Sequence, residues 1–62
     1  MLQEWIIRAP HGFFFERMHG GHPLFVSDQQ AACGMSHVRA QRWVQILGKA
    51  GYGPSMAIPR EN

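Results

Sequence analysis

The sequence predicts a small α+β fold in the order β-β-β-α-β: an antiparallel sheet of three to four strands packed on one face by a single amphipathic helix. Two observations carry the prediction. Residues 36–52 read as one capped amphipathic helix of about four turns, whose apolar stripe cannot be buried without a second layer. The chain before residue 28 is written in short runs rich in aromatic and β-branched residues, separated by Gly and Pro turn signals.

The first strand is expected over residues 4–9, which hold Trp5, Ile6 and Ile7, and Pro10-His11-Gly12 is a turn cluster. The second runs over 13–18 and stops at His19-Gly20-Gly21-His22-Pro23. A short third strand covers 24–27. Asp28 is suited to cap a turn of helix through residue 33, stopped by Gly34. Ser36 is a favoured N-cap for the main helix over 37–50. Gly51-Tyr52 reads as a left-handed C-cap whose aromatic packs back on Leu47. Gly53-Pro54 breaks the chain, residues 56–58 form a last strand held at an edge by Pro59, and Arg60-Glu61-Asn62 fray.

The chain forms one domain, residues 1–62, near the lower size limit for a core without staples. A single cysteine, Cys33, excludes an internal disulfide and makes a reducing cytoplasm the simplest home. The apolar content of 45% is too high for a disordered chain. Six Lys/Arg against four Asp/Glu give a net charge of +2, which permits an acidic partner or nucleic acid and demands neither. The opening apolar run ends at Arg8, too short for a signal peptide or a membrane span, so no membrane partner is expected.

Steps of about 100° place Ala40, Trp43, Val44, Leu47 and Ala50 within a roughly 120° arc, the core-facing stripe. Arg42 and Lys49 lie opposite, with Arg39 and Ile46 on the flank. The plain reading of that basic face is solvated surface; the functional one is contact with phosphate or an acidic protein. Strand alternation puts Trp5, Ile7, Phe13, Phe15, Leu24 and Val26 toward the helix. It leaves Ile6, Phe14, Met18 and Phe25 on the uncovered face, framed by Glu4, Arg8 and Glu16. A one-residue slip would exchange the faces. An apolar patch there marks an interface, with a homodimer or with a partner. The partner-binding candidates are therefore Ile6, Arg8, Phe14 and Phe25 on the sheet and Arg39, Arg42 and Lys49 on the helix.

Chemistry-bearing constellations are few. His19-x-x-His22 followed by Cys33-x-x-x-His37 resembles a zinc layout, but structural zinc sites usually hold two or more cysteines, and surface histidines are the plainer account. Cys33 with His37 would need one continuous helix, against which Gly34 and Ser36 argue, and no carboxylate is placed to orient the histidine. Glu4 and Glu16 flank arginines, Asp28 caps a turn, and the Gly-rich stretches match no phosphate loop. Neither an enzyme nor a cofactor or metal is expected.

What remains is binding. The leading expectation is a small cytoplasmic interaction protein that blocks or modulates a larger host protein or nucleoprotein complex. Inhibitors of host defence or transcription encoded by phages and mobile elements, anti-CRISPR proteins among them, share this scale, an analogy of size and not of sequence. The alternative is a nucleic-acid-binding module using the basic helix or sheet aromatics, although ribonucleoprotein motifs are absent.

Overall fold

A computed structural model describes residues 3–61. Its four strands are β1 (Trp5–Arg8), β2 (Phe14–His19), β3 (His22–Val26) and β4 (Met56–Pro59), and its one α-helix is α1 (His37–Lys49). The strands form a single antiparallel sheet in the order β3-β2-β1-β4. The β-β-β-α-β order is the predicted one. Both edge strands carry a proline, Pro23 in β3 and Pro59 in β4, which removes a ladder donor from each edge and blunts it against pairing with other chains.

The caps of α1 follow from local chemistry. Ser36 Oγ accepts from the Arg39 amide at 3.2 Å. At the other end Gly51 has φ +93°, and its amide donates to the Gly48 carbonyl at 3.2 Å while Tyr52 N–H donates to the Leu47 carbonyl at 2.9 Å. That pair of bonds is a Schellman motif, which glycine enters without a Cβ penalty. Ala40 and Leu47 are buried and Trp43 and Val44 half-buried, as the stripe predicts. Ala50 is exposed instead, because it is the C-cap residue rather than part of the last turn.

Strands β1 and β2 pair directly only where Arg8 meets Phe14. Beyond that point residues 33–35 wedge between them. Trp5 and Met35 exchange two backbone bonds of 2.8 and 2.9 Å, and the Cys33 amide donates to the Phe15 carbonyl at 3.1 Å. The wedge satisfies backbone groups that the splayed strands would leave unpaired. It also delivers the Met35 side chain to the helix-side core, where it joins Ile7, Phe15, Ala40 and Leu47.

The second face of the sheet is closed, which corrects the expectation that Ile6 and Phe14 are exposed. Ile6 is 0% and Phe14 9% exposed, and they form a second apolar cluster with Ala32, flanked by Val26 and Ile58. One helix covers one face, so the connection across residues 28–34 crosses the other. Burying each of these two side chains is worth about 1.5–3 kcal/mol. Asp28 Oδ1 caps this segment by accepting from the Gln30 amide at 2.9 Å, and the 3₁₀ turn it starts, Gln29–Ala31, is shorter than expected.

The tail does not fray through residue 61; it straps that segment down. The Arg60 amide extends the β1–β4 ladder to the Glu4 carbonyl at 2.9 Å. Its guanidinium pairs with Glu4 Oε1 at 2.9 Å and donates to the Ala32 carbonyl. Gln30 Nε2 donates to the Glu61 carbonyl at 2.8 Å. Glu4 in turn lies so close to Gly34 that a Cβ there would sit 2.7 Å from its Oε1, so a side chain at position 34 would push the Glu4 carboxylate aside.

Phe25 also departs from expectation. It faces the helix-side core, while Val26 joins the second face and Phe13 is 50% exposed. The cause is register: Phe15 lies opposite Phe25 and Phe14 opposite Val26, and directly paired residues share a face. A β-bulge between Phe15 and Arg17 then shifts the phase along β2, leaving Met18 opposite Pro23 and 42% exposed.

Candidate functional site

On α1, exposed apolar side chains lie beside basic ones. Val38 is 69% and Ile46 50% exposed, both outside the core stripe of α1. Ser36, Val38, Arg39, Arg42, Trp43 and Ile46 line one shallow depression of about 460 Å³. Their spacings of three and four residues make them neighbours on one side of the helix. Trp43 forms the inner wall. Its ring stands 5.0 Å from that of Phe15, tilted by 32°, which anchors the indole on the sheet while leaving it half-exposed.

From Phe15 the aromatic contacts continue away from the helix. Phe25 follows at 6.4 Å, His11 lies 4.8 Å beyond it, and Phe13 a further 5.2 Å from His11. Tyr52 flanks Phe25 at 6.4 Å. These edge-to-face and tilted contacts pack an aromatic ledge beside α1. The His11 ring is fixed further by accepting the Phe13 amide on Nδ1 at 3.2 Å.

Charge is segregated along the same lines. The sequence of α1 contains Arg39, Arg42 and Lys49 and no carboxylate. The ion pairs among the described residues, Arg17 with Glu16 at 3.6 Å and Arg60 with Glu4 at 2.9 Å, both lie on the sheet and its tail. Within those residues the three helix cations have no acidic partner, so their field reaches solvent uncompensated.

The predicted partner-binding residues thus separate. Arg39 and Arg42 come together in the depression, and Lys49 sits about two turns on from Arg42 along the same exposed side. Arg8 stands apart on β1, exposed between Phe14 and the 62% exposed Met56. Ile6 and Phe14 are inside, and Phe25 is half-covered by His11 and Tyr52. Val38, Ile46 and Trp43 were readable as surface only in part: helical angles place Ile46 on the flank, but nothing local marks the stripe residue Trp43 as half-exposed.

The four residues of the zinc-like layout do not converge. His19 and His22 face each other at the β2–β3 turn, Cys33 is exposed in the wedge segment, and the His37 ring stacks 4.3 Å from Trp5. Among the described residues no group of three or more His, Cys, Asp or Glu is placed to hold a metal ion. Cys33 and His37 also belong to separate elements, Glu4 is bound to Arg60, and Asp28 is used as a cap. No helix among the described residues is long and apolar enough to cross a membrane.

No protein-family model matches the chain, and no curated protein or solved structure is significantly similar to it.

Proposed function

We propose that this chain is a small non-catalytic interaction protein that docks through the exposed flank of α1 onto an acidic, partly apolar surface of a larger protein or nucleoprotein complex, blocking or modulating it. Inhibitors of host machinery from phages and mobile elements work at this scale. The observation that carries the reading is the depression around Arg39, Arg42 and Trp43, bordered by the exposed Val38 and Ile46. Arginine and tryptophan are the residue types that most often become interface hot spots. A guanidinium fork recognises a carboxylate through two parallel bonds, and the aliphatic neighbours exclude water around them. Packing of Trp43 on Phe15 holds the indole in place before a partner arrives, which lowers the ordering cost of association.

Nucleic-acid binding is the second reading, favoured by three cations and no carboxylate on one helix. Val38 and Ile46 weigh against it, since they offer nothing to a phosphate backbone. Capture from lysate with and without nuclease, followed by titration of the purified partner, separates the two. An Arg39/Arg42/Ile46→Ala variant should keep its thermal melt and lose about tenfold or more in affinity, with modest salt dependence. A mobility shift with DNA or RNA that weakens steeply with salt would replace the protein partner by nucleic acid.

A further inference from the structure

The β2–β3 hairpin ends in a feature that the docking surface does not use. His19 and His22 are directly opposite across the last pair of the ladder, and both are exposed. The two residues between them are Gly20 and Gly21, with φ of +57° and +82°. Positive φ at both loop positions is what a tight two-residue turn demands, so the turn fixes the register of the histidines. Side chains directly opposite in such a pair start about 4.5–5.5 Å apart at Cβ and project from the same face of the ribbon.

From this we infer that the hairpin tip is a bidentate site for a late first-row divalent cation, Cu²⁺ before Zn²⁺. Imidazole nitrogen suits both ions, and the Irving–Williams order ranks copper tighter. A cation with metal–nitrogen bonds of about 2.0–2.1 Å needs two ring nitrogens about 3 Å apart, within reach of two histidines rooted so closely. The tight turn pre-organises the chelate, so little chain entropy is lost on binding. Arg17 shares that face two residues along β2, but its guanidinium is turned to Glu16, Nε to Oε1 at 3.6 Å, which offsets its repulsion of a cation. The other histidines are engaged elsewhere: His11 among Phe13 and Phe25, and His37 on Trp5, with its Nε2 3.2 Å from Gln41 Nε2. Two protein donors leave coordination positions open, so the tip can also accept a donor from a second molecule.

Tag-free protein titrated with CuCl₂ and with ZnCl₂, followed by calorimetry and by amide NMR shifts, tests the site. The expected result at about pH 7.5 is one equivalent of Cu²⁺ bound, with amide signals of residues 18–23 broadened most by Cu²⁺ and shifted most by Zn²⁺. His19→Gln and His22→Gln should each lower Cu²⁺ affinity at least about tenfold, and His37→Gln should not. Because His19 and His22 are exposed, both variants should melt like the parent, which separates loss of the site from loss of the fold. Unchanged affinity in the His19→Gln and His22→Gln variants, shifts centred on Cys33 or His37, or no binding near neutral pH would each overturn the assignment.

Discussion

Replacing Arg60 by Met tests the strap that closes the second face. Methionine keeps an unbranched apolar stem and removes the guanidinium, so the change isolates the polar contacts. The Arg60 side chain is 15% exposed, but Glu4 is 57% exposed, so their ion pair is largely a surface pair worth at most about 1 kcal/mol. The larger loss is the bond to the Ala32 carbonyl, made by a charged donor in a part-buried setting. Such a bond contributes about 1.5–3 kcal/mol, and its removal leaves a partly buried carbonyl without that donor. The total, about 1.5–4 kcal/mol, is a large fraction of what a domain of this size has. In a thermal melt it should lower Tm by on the order of 10–20 °C. Hydrogen exchange supplies the local signature: the Cys33 and Met35 amides, bonded to Phe15 and Trp5, should lose protection more than the amides of α1. A variant with parental Tm and unchanged exchange at Cys33 and Met35 would refute the idea that Arg60 holds residues 28–34 against the sheet.

Leu47 is 1% exposed at the centre of the helix-side core, and Leu47→Ala should cost roughly 2–5 kcal/mol in chemical denaturation. Phe14→Ser, which would be harmless on an open face, should instead unfold a large fraction of the protein at ambient temperature, measured by near-UV circular dichroism, because it places a hydroxyl in the cluster with Ile6 and Ala32. Ser36→Ala removes the acceptor for the Arg39 amide and should cost about 1 kcal/mol, with the loss of helicity confined to the first turn of α1 by NMR.

The docking surface was half legible. Arg39, Arg42 and Lys49 could be placed on the outer side of the helix by angle alone, since charged residues on a helix surface keep their position whatever the sheet does. Of the apolar patch expected on the sheet, Ile6 and Phe14 are buried. Ile6 and Phe14 were outward by alternation, correctly so relative to α1, yet outward from the helix is not outward to solvent when a loop and the C-terminal tail cover that side. Val38 and Ile46 add exposed aliphatic surface on α1, while Met18 and Met56 stay exposed on the sheet.

Local chemistry determined what is encoded within a few residues of chain. The ends of α1 rest on Ser36 and Gly51, its core stripe on a 3.6-residue period, and the strand order on turn signals at Gly12, Gly20 and Gly21. Each depends on bonds or sterics spanning one to five positions, so each is readable in sequence. The tertiary structure alone decided which face each β residue took, because a period of two has no absolute phase until a partner strand supplies it. Phe25 turned inward when it met Phe15, and the bulge after Phe15 reset the phase again. It also decided that residues 33–35 would part β1 from β2, and that Arg60 would reach Glu4 and Ala32 across separations of 56 and 28 residues. Contacts over such separations depend on where the intervening elements have packed, and no local pattern carries that information.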